Sequence, residues 1–589
     1  MNSLEKIKQQ IVGAINQALG KDLVKETDLV FPPAPKASEG KSSPELGDLS
    51  LPCFDLAKEL KKSPIEISLM LAKLSELSSD RIGIESVKAV GPYLNFVLDK
   101  NVLTEELLKD IKNEKGKFGQ NQSGKKQKVM IEYSNGNTHK ELHVGHLRNI
   151  CYGDAVSRII AANGYAAIPV SYINDFGIHV AKTLWALEKF YKEKTTSKNR
   201  GAFLGEVYVK GSLESENDEA AKKEINQLMA KIESRKGAEY ELWQTTRKWS
   251  IEQFAQIYKQ LGIKFRDTFY ESEVIDAGRK LVSQLLKTGV LKESQGAVIA
   301  DLEKSGLGVL VFLRSDGTAL YPVADLPLAA KKFKKYKLDE SIYVVDIRQG
   351  QYFKQLFKVL ELMGYKQKTI HLGYEFLKLP SGMMASRTGK VITFETFWTE
   401  AYKRASEETK KRHDDWSDKK IEVVAEKILV GAMKFEMVKV SRTAVITFDI
   451  EKALRFEGFT AAYIQYTFAR SQSILRKSEV ESPALPAGRR ELKVQVKTQN
   501  LKEKKEHGLV MKLAKYPEAV KLAGEKYEPS EIAKYLFELA QEFNDYYHEV
   551  PVLKAGPETR AARLFLIGAV SQVLSNGLDL LGIETMEEM

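Results

Sequence analysis

At 589 residues the chain is too long for one core, and about three or four domains are expected. Lys plus Arg (90) outnumber Asp plus Glu (79), and the resulting net charge of +11 suits a phosphate-rich partner as well as plain solubility. Only two cysteines occur, Cys53 and Cys151, so neither a disulfide framework nor a cysteine zinc site is available, which fits a reducing cytoplasm.

The opening MNSLEKIKQQIVGAINQALG has an amphipathic helix pattern, not that of a signal peptide, and no apolar run approaches the roughly 18 residues of a membrane helix. Residues 1–120 read as a first, α+β unit. A helix over Leu4 to Leu19 leads to a Pro, Ser and Gly-rich loop from Pro32 to Gly47. DLSLPCFDLAKEL (Asp48 to Leu60) follows, then a helix near Ile65 to Leu77 and a strand-like Val90 to Leu98. Ser123 to Lys128 is a polar, basic linker.

Lys128 to Tyr133 (KVMIEY) then predicts a buried strand, Ser134 to Thr138 a turn, and the residues from Leu142 onward a helix. The stretch Ile131 to Arg148, IEYSNGNTHKELHVGHLR, therefore places His143 and His146 on the first turn of a helix that follows a strand. Orphan backbone N–H groups and the helix dipole favour an anion there, both imidazoles can donate to phosphate oxygens, and Gly145 leaves room for a flat ring or a phosphate.

Ala167 to Tyr172 predicts the next strand; Asn174 and Asp175 at its end read equally well as a helix cap or as site residues. Lys189 to about Trp249 is a charged helical insertion with a solvated face. Val298 to Leu313 predicts a hairpin, Leu320 to Asp325 puts Tyr321 and Asp325 four residues apart as if facing one pocket, and Ser341 to Asp346 is a buried strand followed by Arg348, Gln349 and Gly350. The lysines at 331, 332, 334, 335 and 337 read as a solvated helix face. Strands alternating with helices predict a doubly wound, parallel-sheet α/β domain over residues 121–395, with a helical insertion at about 189–290. Helical patterns alone remain beyond 395: a connecting segment at 396–450 and an all-α domain at 451–589. There, Tyr463, Tyr466, Arg470 and Lys477 fall near one helical face, as aromatics and cations do where single-stranded bases stack.

The His-x-Gly-His motif with its flank Glu132, Asn135, Asn137, Lys140, Leu147, Arg148 and Asn149 resembles the arginyl-tRNA synthetases of class I. That resemblance implies a Rossmann-like catalytic domain, an N-terminal domain touching the tRNA elbow, and ATP held by His143, Gly145 and His146. Leu379 to Thr393 (LPSGMMASRTGKVIT) is similar by position to the family's second signature loop, with Met384, Ser386, Arg387 and Lys390 in it, but lacks both lysines of Lys-Met-Ser-Lys-Ser; Lys140, Arg387 and Lys390 are the candidate cations for the pyrophosphate. The likeness further implies that Asp325 and Tyr321 meet the guanidinium of arginine, that Glu132, Asn135, Asn137 and Gln349 bind its other polar atoms, and that Tyr463, Arg470, Tyr547 and Met589 meet tRNA. ATP and Mg²⁺, L-arginine and tRNA(Arg) follow as substrates, cofactor and partners, with no protein metal site and no membrane association, in a cytoplasmic monomer. Two other readings are an inactive synthetase-like tRNA-binding protein and an adenylate-forming nucleotidyltransferase that needs no RNA.

Overall fold

The computed structural model describes residues 3–32, 47–74, 83–191, 199–378, 392–480 and 497–589. Backbone packing divides the chain into two compact units. One comprises Met1–Gly119, Arg470–Glu518 and Glu538–Asn576; the other comprises Gln120–Ala469, Ala519–Phe537 and Gly577–Met589.

The second unit is built on a five-stranded, wholly parallel sheet. Its spatial order is Lys368–Tyr374, Glu340–Asp346, Lys128–Glu132, Ala166–Ile173 and Asp267–Tyr270. The apolar runs explain the topology: Met130, Ile131, Val170, Ile342 and Val344 have essentially no exposure, as strands covered on both faces require. The chain enters at the central strand, winds outward through Ala166–Ile173 and Asp267–Tyr270, and returns to the other side at Glu340–Asp346. The strand order therefore reverses between Lys128–Glu132 and Glu340–Asp346, where Glu132 pairs with Tyr343. The crevice at the carboxyl ends of such strands is where open α/β sheets bind ligands.

The helix Val144–Ala162 follows the central strand and is buried along most of its length, including Leu147, Ile150, Val156 and Ile159. A Cβ on its Gly153 would lie 2.2 Å from the Tyr133 ring, so glycine is what lets the helix close on the end of the strand. The opposite side of the sheet carries a core that includes Phe269, Phe312, Val323 and Leu356. The predicted hairpin is present as Ala297–Asp301 and Val309–Leu313, with Lys292–Ser294 added as a third antiparallel strand. The helical insertion has a core of its own, in which Leu184, Trp185, Phe203, Ile225, Ile232 and Trp243 pack together.

The first unit contains an antiparallel sheet in the order Leu49–Pro52, Tyr93–Leu98, Ile84–Val90. The single strand expected at Val90 to Leu98 is thus the second arm of a hairpin. Gly91, at φ +55°, and Pro92 break the apolar run. The helix expected to reach Leu77 ends at Leu71 after a start at Pro64 capped reciprocally by Ser63 and Glu66.

Two further expectations are corrected. Pro557–Leu580 is long and apolar enough to cross a membrane, yet 67% of its most apolar window is buried inside the protein, which marks it as a core helix. Lys332 does not belong to a solvated face. It lies buried against Glu132, while Lys331 and Lys335 pair at the surface with Glu273 and Asp267.

Candidate active site

The His-x-Gly-His stretch forms its own helix cap. His143 is the N-cap residue of Val144–Ala162, with extended backbone; its Nδ1 accepts from the Gly145 N–H at 3.1 Å, and the His146 Nδ1 accepts from the His143 N–H at 3.1 Å. A backbone N–H can only donate, so each ring has its Nδ1 lone pair engaged and, when neutral, carries its proton on Nε2. Burial, then Lys140, pulls His143 down to about 4. Burial, then His143 and Lys140, pulls His146 well below its ordinary value. At neutral pH the pair is thus two uncharged Nε2–H donors, their ring centroids 3.9 Å apart, beside a helix N-terminus. Lys140 Nζ lies 4.5 Å from the centroid of Tyr208 and close enough to His143, His146 and His179 to lower all three.

The scaffold behind this turn is polar and buried. Arg148 is nearly inaccessible, and its guanidinium donates to the carbonyls of Glu375 at 2.6 Å, Ala444 at 2.8 Å, and Ser441 and Arg442 at 3.2 Å. Asn149 donates to the Val344 carbonyl at 2.7 Å, tying the helix to the neighbouring strand. His139, in the left-handed region at φ +63°, has its ring nitrogens 3.0 Å from the Thr138 hydroxyl and 2.8 Å from that of Thr246. Burial drives it down to about 3, and it serves as a neutral anchor. Among the buried polar atoms without a partner are Asn135 Oδ1, Asn174 Oδ1 and His179 Nε2. They flank the loops that follow the first two strands, where a polar ligand could complete them.

A second cluster, which the sequence alone reads as one side of a pocket, is acidic. Burial pushes Asp325 up to about 6; the Tyr352 hydroxyl, which donates to its Oδ2, and Lys332 act to lower it, while Glu132 raises it. Glu271, the first residue after the Asp267–Tyr270 strand, is pushed up to about 8 by burial, then by Asp325 and Asp175. The Tyr172 hydroxyl feels Asp325, Glu271, Glu132 and Asp175 at once. Asp175 is neither a helix cap nor a free site residue: it is wholly buried, accepts from Arg247 Nε at 2.5 Å and from the Ser272 hydroxyl and N–H at 2.8 and 2.9 Å, and the cap position of the next helix belongs to Gly177.

The structure therefore gathers His143, Gly145, His146 and Lys140 in one place and sets Asp325 among carboxylates in another. Glu132 is engaged by Lys332, Asn137 pairs through its backbone with Asn174, and Tyr321 and Gln349 are exposed, the Tyr321 ring to 69%. Met384, Ser386, Arg387 and Lys390 lie outside the described residues. Tyr463 packs edge-on against Phe537 and Tyr547 stacks on Phe543, while Arg470 donates to Asn544 at 2.6 Å and Met589 is half-buried at the chain end. Among the described residues no group of three or more His, Cys, Asp or Glu side chains is placed to hold a metal ion.

Sequence reading missed Glu271, Lys332, His139 and His179. Glu271 could not be found because the helical insertion expected at about 189–290 runs across the strand Asp267–Tyr270, which belongs to the parallel sheet and which Glu271 directly follows.

Comparison with known proteins decides the family. The model for the catalytic domain of class I tRNA synthetases (R) matches residues 107–450, the DALR anticodon-binding domain residues 464–589, and the arginyl-tRNA synthetase N-terminal domain residues 5–98. The chain belongs to the arginyl-tRNA synthetases. It is 36% identical over 568 residues to an arginine–tRNA ligase of Bdellovibrio bacteriovorus, covering 94% of each chain, and 32% identical over 585 residues to one of Halothermothrix orenii, covering 99% of each. Among solved structures, an arginyl-tRNA synthetase of Thermus thermophilus superposes with a TM-score of 0.80 at 28% identity over 99% of both chains. The class I fold, the ligase assignment and the anticodon-binding domain are thereby shared with this family, and nothing supports the reading as an inactive tRNA-binding relative.

Proposed function

We propose that this site activates L-arginine with ATP and transfers it to tRNA(Arg), with the roles divided between the two pockets. In the first step a carboxylate oxygen of arginine attacks the α-phosphorus; the bond to the bridging oxygen breaks and pyrophosphate leaves. Such chemistry is governed by positioning and charge neutralisation. His143 and His146 each offer an Nε2–H to the phosphate oxygens, and the helix N-terminus adds its dipole. Lys140, with Arg387 and Lys390 of the second signature loop, supplies the cations toward pyrophosphate. Mg²⁺ enters with the triphosphate, whose charge it neutralises when bound; no described residue is assigned to it. In the second step a hydroxyl of the terminal adenosine attacks the acyl carbon and AMP departs.

The amino acid is selected in the acidic pocket. Asp325 and Glu271 present carboxylates to a guanidinium, a planar five-donor group that carboxylates match well. Asn135, Asn137, Tyr321 and Gln349 line the approach, and Glu132 acts from behind. Tyr463, Arg470, Tyr547 and Met589 serve tRNA in the C-terminal region, and the enzyme works as a cytoplasmic monomer. One observation carries the reading: a reciprocal imidazole cap at a helix N-terminus on the reversal point of a parallel sheet, in a chain of this family.

ATP–pyrophosphate exchange with each of the twenty amino acids, with and without total tRNA, tests it. Exchange with arginine alone is expected. Exchange with a different amino acid, or with none while tRNA still binds, would overturn it.

A further inference from the structure

Resting on the reading of the acidic pocket as the arginine site, we propose that Lys332 is a positioning residue. Its ammonium cancels Glu132, so that the pocket keeps two unanswered carboxylates and accepts one substrate cation.

The charges around the pocket account for this. Asp175 is answered by Arg247, with two further hydrogen bonds from Ser272. Glu132, which ends the central strand, is answered by Lys332; both side chains are almost fully buried. That leaves Asp325 and Glu271. Asp325 faces Glu132 on the central strand, Lys332 two turns further along its own helix Pro322–Tyr336, Tyr352 on the helix Gly350–Leu362, Tyr172 and Tyr343 on the flanking strands, and Glu271. Glu271 faces Asp325 and Asp175.

Lys332 is held where it can neutralise without competing for the substrate. Its Nζ lies 5.3 Å from the centroid of Phe269, 5.5 Å from that of Tyr343 and 5.7 Å from that of Tyr172. Three ring faces and one carboxylate fix the ammonium in place, and the aliphatic stem packs in the core. Without it, Glu132 becomes a third unanswered carboxylate in a poorly solvated cluster. The cluster then carries one more negative charge, so it takes up a proton at higher pH than before, and wherever that proton is shared with Asp325 or Glu271 the guanidinium loses a ligand.

The test uses the full-length chain in ATP–pyrophosphate exchange with tRNA present, between pH 6 and 9, on the wild type, Lys332→Met, Glu132→Gln and the double variant. In the wild type the arginine KM falls as pH rises through the range where Asp325 and Glu271 lose their protons. Lys332→Met should move that profile up by about one pH unit, raising the arginine KM about 10-fold at pH 7 with the ATP KM unchanged. Glu132→Gln, which leaves an extra cation, should move it the other way, and the double variant should return it close to wild type. Profiles that do not move, that move together, or that change only kcat or the ATP KM would overturn the inference. Should Lys332→Met fail to fold, the direction of the Glu132→Gln shift decides. A wild type with no arginine-dependent exchange would overturn the pocket reading and the inference together, whereas failure of the inference alone leaves wild-type exchange intact.

Discussion

The two pockets of the catalytic unit use burial in opposite senses. At the signature helix, burial strips protons from basic groups, so His143 and His146 stand as neutral donors although a polyanion is their proposed ligand. In the acidic pocket, burial makes carboxylates hold their protons, up to about 6 at Asp325 and about 8 at Glu271. The first pocket needs no change of protonation to work: a neutral N–H is already oriented by its Nδ1 bond and loses little on meeting phosphate. The second is incomplete until a cation arrives. On the proposed assignment, preorganisation and specificity are separated in space: phosphate meets donors that are already oriented, while the amino acid meets carboxylates that a positively charged side chain would complete.

Substitutions on the two sides should separate accordingly. Asp325→Asn removes one of two unanswered carboxylates and should raise the arginine KM by about 10³-fold, corresponding to about 4 kcal/mol for a buried charge pair, with little effect on the ATP KM. Steady-state exchange kinetics check this, and an equal loss toward both substrates would break the separation. His146→Ala deletes a positioned donor and should lower kcat for exchange about 100-fold while the arginine KM holds. It also removes the acceptor of the His143 N–H, so a thermal melt should accompany it to confirm that the helix cap survives. Lys140→Ala should have the smallest effect, about 10-fold on adenylate formation with tRNA affinity nearly intact, because its half-exposed charge is partly screened by water. Unchanged turnover would overturn the role of Lys140.

The phosphate side was largely legible in the sequence because its parts are local. A strand, five turn residues and a helix cap lie within Lys128 to Ala162, and His143 and His146 meet each other across three residues. The acidic pocket was only half legible. Asp325 stood out beside Tyr321 near a predicted helix start, but Glu271 lies 54 residues earlier and Lys332 sits 200 residues from Glu132. Neither partnership has a periodicity, since the fold creates both by laying the helix Pro322–Tyr336 against the ends of two strands far away in sequence. Lys332 was the harder case: in a run of five lysines nothing local marks the one that turns inward, and only the helix phase relative to Asp325, seven residues away on the same face, hints at it. Tyr321 shows the converse. The spacing of four does hold in the helix, yet the Tyr321 ring stands in the open while Asp325 accepts from the Tyr352 hydroxyl.

The most direct test of the contrast is the pH dependence of the two KM values for wild-type exchange, measured from pH 6 to 8.5 at saturating magnesium. A carboxylate whose pKa is raised in the free enzyme must lose its proton before it can pair with a guanidinium, so arginine binding strengthens as pH rises and levels off above the higher of the two values. With Asp325 at about 6 and Glu271 at about 8, the account predicts an arginine KM that falls about 100-fold between pH 6 and 8. The ATP KM should show no rise attributable to histidine deprotonation, since both imidazoles are already neutral throughout. An arginine KM independent of pH, with an ATP KM that rises steeply above pH 6.5, would mean that the histidines bind as cations and the carboxylates are already charged, and would contradict it.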